Sequence, residues 1–525
     1  MGVFERYGGG GEFYMKTVNV DLRLDESEEL LLKRALKKAG VREKDVSSFS
    51  VIKKAIDARN KRDIKFCYVV ALYFGDEPKD NEYFRVGGSV VVVGAGPAGL
   101  FAALELARHG VAVTVIERGS RVEERSKTVK AFFDGGKLDE NTNVQFGEGG
   151  AGTFSDGKLN TQVNNPLVKK VLEDFVRFGA PSDVLYLNKP HVGSDNLPKV
   201  VKNVREEIIR LGGRFSFNEK MTSLLVSSDG SVCGVKTDKG EYLSDCVVLA
   251  IGHSSRDTFS YLFSAGVAME GKDFAVGFRI EQRQEVIDRD RYGDFYAHPK
   301  LSAADYKLIS HASERAVFTF CMCPGGVVVP SASEQGGLVV NGMSNYLRNG
   351  ENANSAVVCQ VKKDDFGTQI LGGVEFQKKI ERLAYAAIGD YAAPVQLADD
   401  FIADRASTRL CGVTPTYSRG FGFYELKKLL PLQLIESLKA GLYDMNGKIN
   451  GFASCGAVLT GVESRTSSPV RIVRGENSES VSHKNLYPCG EGCGYAGGIT
   501  SACVDGIKVS SAIIDKLIEK YKVKI

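Results

Sequence analysis

Residues 89 to 119 read SVVVVGAGPAGLFAALELARHGVAVTVIERG, and this run constrains the fold of the chain more than any other. Four valines before Gly94 predict a strand that is buried on both faces, and the glycines after it give a G-x-G-x-x-G turn into a helix. A second strand over 112–116 ends at Glu117. Strand, glycine turn, helix, strand and acid in this order are typical of a dinucleotide-binding βαβ unit.

Each part of this unit has a predicted task. Gly94 permits a tight turn, Gly96 lets the backbone approach a pyrophosphate, and Gly99 lets the helix pack against the strand. The helix N-terminus points amide hydrogens at the phosphates, and Glu117 suits an adenosine ribose without a 2′-phosphate. The nucleotide site predicted here consists of Gly94, Gly96, Pro97, Ala98, Gly99, Glu117 and Arg118.

Size and composition narrow the class of protein. A chain of 525 residues predicts two or three domains, and a net charge of +3 gives no general attraction to nucleic acid or to a membrane. The longest uncharged stretch, 87–104, contains the motif glycines and is therefore not interpreted as a membrane span. Eleven scattered cysteines and an N-terminus without an apolar signal favour a reduced, cytoplasmic protein.

The predicted fold class is α/β: a Rossmann-like doubly wound sheet with an inserted α+β cap domain and a small N-terminal β-α-β-β domain. A basic run at 53–65 carries an excess of four positive charges. It is interpreted as a solvated face, with docking of RNA or of an acidic protein as the alternative. The predicted segments are a disordered leader at 1–16, the small domain at 17–82, the nucleotide domain at 83–273 and 453–525, and the cap at 274–452.

Two further segments complete the predicted nucleotide domain. The apolar strand at 246–252 ends in small residues, Ala250 and Gly252, and should lie beside the first strand of the nucleotide fold. Near the C-terminus, Gly490 and Glu491 follow a short strand, after which a second glycine-led helix begins. The residues that open this helix are Gly497, Gly498 and Ile499.

Two long phrases, NVQFGEGGAGTFSDGKL at 143–159 and GVESRTSSPVRI at 461–472, carry a resemblance. With the two glycine-led helices, they make the chain similar to the bacterial uncharacterised FAD-dependent dehydrogenases labelled "NAD(FAD)-utilising dehydrogenase", in the glutathione-reductase-type superfamily. The resemblance implies FAD, with its adenine and pyrophosphate at the first motif and its ribityl chain against Gly490 and Glu491. Glu491 stands where related flavoproteins more often have Asp. Gly497, Gly498 and Ile499 would meet the isoalloxazine ring.

The glycine-rich loop at 147–158 is predicted to line the flavin, through Gly149 and Gly150. Its polar candidates for catalysis are Ser155, Asp156 and Lys158, with a merely tight loop as the alternative.

Other candidates lie elsewhere in the chain. Cys321 and Cys323 could place a thiol near the flavin or could serve packing alone, and Cys323 is taken as the catalytic candidate. Cys489 and Cys493 could form a redox disulfide or serve packing, and no metal site is predicted.

A loop before the final motif holds Glu463, Arg465 and Arg471, which could clamp an anionic substrate or form an inter-domain salt bridge. Arg465 is the catalytic candidate among them. His253 follows the strand at 246–252 and could either face the flavin or make only local hydrogen bonds.

The predicted function is that of an FAD-dependent oxidoreductase that moves a hydride through flavin N5 to or from a small anionic or planar substrate. Because the chain has no second G-x-G-x-x-G unit, NAD(P)H is expected only as a transient electron donor. The alternatives are an RNA-modifying flavoprotein and a non-enzymatic flavin sensor or electron-transfer module that docks a protein partner. The expected partner is a small-molecule substrate, with a protein electron partner as a further candidate; membrane and nucleic acid are not expected.

Overall fold

The computed structural model describes residues 4–7, 13–75, 83–454 and 456–522. Its N-terminal unit forms an antiparallel sheet of order β1-β2-β4-β3, with one helix. The elements are β1 (Phe4–Tyr7), β2 (Phe13–Arg23), α1 (Leu30–Ala39), β3 (Ser48–Asp57) and β4 (Lys65–Phe74). The prediction of a disordered leader is wrong for residues 4–7 and 13–16, which are strand; residues 1–3 and 8–12 lie outside the described residues.

The nucleotide domain follows. Its first part consists of β5 (Ser89–Val93), α2 (Pro97–Arg108), β6 (Ala112–Ile116), α3 (Val122–Phe133), α4 (Leu167–Arg177), α5 (Leu197–Arg210), β7 (Arg214–Ser216), β8 (Met221–Val226), β9 (Val232–Thr237), β10 (Glu241–Leu243), β11 (Cys246–Leu249) and α6 (Arg256–Ser264).

The cap and the C-terminal part complete the chain. Their elements are β12 (Met269–Gly271), β13 (Phe274–Arg283), α7 (Gln284–Tyr292), β14 (Ile309–Ser310), β15 (Val317–Cys323), β16 (Val327–Pro330), β17 (Val340–Met343), β18 (Asn352–Val361), α8 (Lys363–Phe366), α9 (Gly372–Ile388), β19 (Ala393–Leu397), α10 (Ala398–Ile402), β20 (Phe421–Phe423), α11 (Leu432–Lys448), β21 (Val458–Glu463), β22 (Val470–Ile472), β23 (Leu486–Pro488) and α12 (Ile499–Tyr521).

A five-stranded parallel sheet of order β23-β11-β5-β6-β7 is the centre of the nucleotide domain. The valines of β5 alternate between two apolar layers, one formed with α2, α4, α5 and α12 and the other with β8, β9 and α6. This confirms the α/β class, the Rossmann-like sheet and the place of β11 beside β5. The second face is covered by the β8–β10 meander and one helix, so the helical layer lies mainly on one side.

Two close backbone contacts fix the helices on this sheet. A Cβ atom on Gly99 would lie 1.9 Å from the Gly94 carbonyl oxygen, so α2 approaches β5 as closely as only glycine allows. A Cβ on Gly506 would lie 2.3 Å from the Ala98 carbonyl oxygen, so α12 crosses α2 in the same way. The two glycine-led helices are therefore held in direct contact.

The cap is built on a seven-stranded mixed sheet of order β14-β15-β18-β13-β21-β19-β20. Since β21 pairs with β13 and β19, the cap sheet continues past the predicted boundary at 452, which is wrong by this one strand. The cap and the N-terminal unit share one apolar core, in which Val20 and Leu22 are grouped with Phe278 and Leu434. Among the helices of the described ranges, none has the length and apolarity needed to cross a membrane.

Candidate cofactor cavity and active site

A cavity of about 440 Å³ lies between the carboxyl ends of the parallel strands and the cap sheet. Ligands bind at this edge of open α/β sheets, and the volume is in the usual range for a small-molecule site. Most of the predicted cofactor residues line it: Gly94, Gly96, Pro97, Ala98, Glu117, Arg118, Gly150, Ala250, Gly252, Glu491, Gly497, Gly498 and Ile499.

The three remaining cofactor candidates shape the cavity without lining it. Gly99 seats α2 on β5, as described above. The Gly149 amide donates to the Ala95 carbonyl at 2.8 Å, which ties the glycine-rich loop to the first motif. Gly490 has a left-handed φ of 78° and donates its amide to the Asp505 carboxylate at 2.7 Å.

Glu117 is held by the backbone around it. Its carboxylate accepts hydrogen bonds from the amides of Ala95 at 2.8 Å, Gly119 at 2.9 Å and Gly147 at 3.0 Å. These bonds leave about one acceptor position of a carboxylate's roughly four. The predicted contact with a ribose hydroxyl is compatible with this capacity, and Glu117 additionally joins the first motif to the glycine-rich loop.

A buried arginine that sequence reasoning missed shapes the same loop. Arg125 of α3 is fully buried and donates to the carbonyls of Asn143 and Val144 at 2.9 Å each and of Glu148 at 2.6 Å. Burial lowers the pKa of Arg125 to about 10. Gln145 and Phe146, which also line the cavity, were missed as well. The phrase NVQFGEGG at 143–150 was the available signal, because it contains Gln145, Phe146 and the carbonyls that Arg125 binds.

The cavity fits a dinucleotide. A Cβ on Gly252, Gly497 or Gly498 would meet no atom within 4 Å, so the wall is open at these glycines. The first turns of α2 and α12 both border the cavity, and the amides of a helix's first turn have no intrahelical acceptor. Two such N-termini in one cavity suit a pyrophosphate and a polar ring edge.

Lys158 reaches the cavity wall, whereas its neighbour Asp156 lies behind it. The Lys158 ammonium donates to the Met322 carbonyl and lies 3.1 Å from the Asp156 carboxylate. Burial would lower the pKa of Lys158, but Asp156 and the cap cysteines raise it above its ordinary value. Asp156 also accepts from Ser344 at 2.5 Å and Arg348 at 3.0 Å. Asp156 therefore orients Lys158, and Ser155 lines the cavity.

The structure places Cys321 at the cavity and the predicted Cys323 behind it. The pairing of β15 with β18 shifts register between Phe320 and Cys323, and Cys321 has a left-handed φ of 44°. Arg279, fully buried, donates to the Cys321 carbonyl at 2.5 Å and to the Cys323 sulfur at 3.4 Å. The sequence could not have separated the two cysteines, because the bulge depends on partners 30 to 45 residues away.

Arg465 lines the cavity within a buried ion network. It pairs in bidentate fashion with Glu381 of α9, at 3.0 and 2.8 Å, and its third nitrogen donates to Ser254 and Ser333. Arg256 pairs with the same Glu381 at 2.7 Å. Glu381 is thus held by two arginines, as expected of the salt-bridge alternative for Arg465.

Two carboxyl groups and one imidazole in the cavity wall have shifted pKa values. Burial raises the pKa of Glu463 to about 7, although Arg279 at 3.2 Å opposes this. Burial also raises the pKa of Glu491 to about 7. His253 lines the cavity too, and burial with two nearby arginines lowers its pKa to about 4. Neutral imidazole and carboxyl groups close to their midpoint therefore face the cavity at pH 7.

Several candidates are placed elsewhere. Arg471 lies outside the cavity and pairs with Glu270 at 3.3 Å, so it is not brought to the side of Glu463 and Arg465. In the basic run, three of the six cations pair with acids: Lys54 with Glu28, Arg59 with Asp57 and Lys65 with Asp63. Within the described ranges, no group of three or more His, Cys, Asp or Glu side chains could hold a metal ion.

Three segments of the chain match known protein families. Residues 88–132 match the FAD binding domain family, residues 273–466 match the family described as FAD-dependent protein, C-terminal domain-like, and residues 15–73 match a domain of unknown function (DUF8436). The fold, the cavity and these matches define an FAD-binding protein, a flavoprotein.

An uncharacterised protein of Clostridium beijerinckii is 46% identical over 523 residues, which are 95% of this chain and 98% of that one. The chain belongs to the family of that protein, and FAD is its cofactor. Membership of the glutathione-reductase-type superfamily stays a prediction.

Solved structures give weaker likenesses. CtdE in complex with FAD is 15% identical, with 82% of this chain and 84% of that chain covered and a TM-score of 0.33. Glycine oxidase from Bacillus cereus is 12% identical, with 81% and 97% covered and a TM-score of 0.31.

Proposed function

We propose that this protein is an FAD-dependent oxidoreductase that transfers a hydride to or from a small anionic or planar substrate. The observation that carries the proposal is the shared cavity: Lys158, Cys321 and Glu463 line the same space as the dinucleotide-binding elements. When bound, FAD supplies a hydride-accepting and hydride-donating atom, flavin N5.

Lys158 gives the cavity a fixed positive charge. Its ammonium is anchored by the Met322 carbonyl and by Asp156, which is itself held by Arg348 and Ser344. A cation whose position is fixed before the substrate arrives binds an anionic group without ordering a flexible side chain. An anionic substrate is therefore the class that this wall favours.

Glu463 and Glu491 can hold or release a proton near neutral pH. A group with a pKa near the working pH is suited to general acid–base chemistry, and burial brings both carboxyl groups to about 7. We propose Glu463 as the group that exchanges a proton with a substrate lying between it and Lys158. Arg465 supports this wall through its pair with Glu381.

The topology bears on our proposal for the electron donor. Among the described strands, one parallel sheet carries a glycine motif, so we propose that NAD(P)H or another donor visits the cavity and leaves it. The ten cysteines of the described ranges are all free, which supports a reducing, cytoplasmic location.

The test is anaerobic reduction of the purified yellow protein by NADH, NADPH and a panel of anionic metabolites, followed by the loss of flavin absorbance. We expect Lys158→Ala to keep its FAD and to raise the KM for the reducing anion at least about tenfold, which is about 1.4 kcal/mol. Lys169→Ala is the matched control, since Lys169 is exposed on α4. Full reduction of Lys158→Ala at an unchanged KM would show that Lys158 does not bind the substrate. If no donor reduces the flavin of the wild-type protein, the proposed dehydrogenase function is wrong.

A further inference from the structure

We propose that Cys321 and Cys323 form a dithiol–disulfide couple at the flavin cavity, in which Cys321 is the accessible sulfur and Cys323 the buried partner. The inference rests on the proposed function in one respect: the flavin is the electron acceptor for the pair.

The geometry separates the roles of the two sulfurs. Cys321 lines the cavity, whereas Cys323 has no exposed surface and donates its thiol to the Cys321 carbonyl at 3.3 Å. The bulge in β15 turns Cys321 out of the regular strand register, with a left-handed φ of 44°. Such a backbone is costly for a residue other than glycine and is concentrated at functional sites.

Two cations bind backbone carbonyls of the bulge. Lys158 donates to the Met322 carbonyl, and Arg279 donates to the Cys321 carbonyl at 2.5 Å. Both bonds hold the two consecutive carbonyls that follow the Cα of Cys321. Both cations also lie close enough to favour a thiolate at this position.

The charges around the pair make it asymmetric. The Cys323 thiol, more than Lys158 and Arg279, lowers the pKa of Cys321 below its ordinary value, against opposing effects of burial and Asp156. The same partner and burial raise the pKa of Cys323 well above its ordinary value. A negative charge on Cys321 also raises the pKa values of Glu463 and Glu491. An accessible thiolate beside a buried thiol is the arrangement that a reactive cysteine and its resolving partner require.

Other cysteines near the cavity lack this arrangement. Cys489 also lines the cavity, but burial raises its pKa well above the ordinary value, and burial raises that of Cys493 to about 12. Neither is a thiolate at neutral pH, and a buried neutral thiol is inert. We therefore propose Cys321 and Cys323, and not Cys489 and Cys493, as the redox pair.

The step balances within the cavity. The S–H bond of Cys323 breaks and an S–S bond to Cys321 forms, so the pair loses two electrons and one proton. These are equivalent to a hydride, and oxidised flavin takes them up to give the anionic reduced form. In the reverse direction, reduced flavin returns the pair to thiolate and thiol.

The first experiment reads the sulfurs directly. Residues 316–348 form one tryptic peptide that contains both cysteines and no other. The holoprotein is oxidised with diamide, alkylated and digested with trypsin, and the peptide masses are measured by mass spectrometry. We expect this peptide to be unalkylated and about 2 Da lighter than its dithiol form, the mass of two hydrogens. Cys321→Ser and Cys323→Ser should each remove the mass loss, and Cys233→Ser on β9 is the control that should keep it. Alkylation of both cysteines in the oxidised wild type would overturn the couple.

The second experiment reads the coupling to flavin. Anaerobic dithionite titration of the oxidised wild type should consume about two two-electron equivalents per FAD, against about one for Cys323→Ser. One equivalent in both proteins would overturn the transfer to flavin. A protein without FAD would refute the proposed function but leave the peptide result readable, so the two failures are distinguishable.

Discussion

The two ends of the cavity are built by different means. One end, at the glycine motif of residues 94–99 and Glu117, lies mainly within one continuous run and uses backbone groups: the glycine turn and the amides that bind Glu117. The cap end collects residues from separate segments: Lys158 and Arg465 each pair with a buried carboxylate, and the Cys321 carbonyl accepts a hydrogen bond from the buried Arg279. A site built from backbone groups should respond most to substitutions that add volume, and a site built from ion pairs should respond most to substitutions that remove a charge. Substitutions at each end should separate the two sensitivities.

The largest effect is expected at the cap end, for Glu381→Gln. This change leaves Arg256 and Arg465 buried without their shared carboxylate, and breaking such a pair costs about 3–5 kcal/mol. The free energy of unfolding in urea measures it. Glu436→Gln, which alters the pair of Lys439 with the exposed Glu436, is the control and should cost less than about 1 kcal/mol.

The pH dependence checks the same ion network. Burial would raise the pKa of Glu381, but Arg256 and Arg465 hold it well below its usual range. A lowered pKa contributes stability above the ordinary carboxylate value and loses it as the pH falls below that value. The stability difference between wild type and Glu381→Gln should therefore shrink in acid, and a constant difference would contradict the ion network.

The glycine-motif end is tested by Gly99→Ala. A Cβ there would lie 1.9 Å from the Gly94 oxygen, so α2 must move away from β5, and overpacking of this kind costs about 1–3 kcal/mol. We expect FAD affinity to fall by up to about 100-fold, which is about 2.7 kcal/mol. Gly447→Ala in α11, where a Cβ meets no atom within 4 Å, should be neutral or stabilising. Equal FAD binding in both variants would contradict the close contact.

How much the sequence could predict follows from the same contrast. The order β5-α2-β6, the strand β11 and the start of α12 were predictable, because periodicity and glycine spacing lie within short segments. The partner of Arg465 was not predictable, since Glu381 lies 84 residues earlier in α9. Cys323 was predicted as the catalytic cysteine, whereas the structure places Cys321 at the cavity. The sequence could not show this, because the bulge that exposes Cys321 arises from the pairing of β15 with β18.

A smaller effect is expected for Glu117→Gln. Glutamine offers one acceptor oxygen in place of two, so at least one of the amides of Ala95, Gly119 and Gly147 loses its partner. The loss of a hydrogen bond to a charged group costs about 1.5–3 kcal/mol. FAD affinity by fluorescence titration and urea unfolding should both report it. Glu124→Gln is the surface control, and a variant as stable as this control would show that the amides do not depend on the charge.

The most specific effect concerns Glu463, where burial and a neighbouring charge act on one carboxyl group. Burial raises the pKa of Glu463 from its ordinary value to about 7, despite Arg279. A carboxyl with a raised pKa contributes stability below its ordinary pKa and loses it as the pH rises towards 7. The contribution of Glu463 to stability should therefore fall between pH 5 and pH 7, by at most about 1.4 kcal/mol per pH unit.

Glu463→Gln should remove its share of that slope, and Glu463→Gln with Glu491→Gln should remove more, because burial raises the pKa of Glu491 to the same value. Urea unfolding at several pH values measures the slopes. If Glu463→Gln keeps the wild-type slope, Glu463 is ionised throughout this range. Arg279 would then hold a carboxylate as its counter-ion, and the thiolate at Cys321 would lose the cation that it now shares.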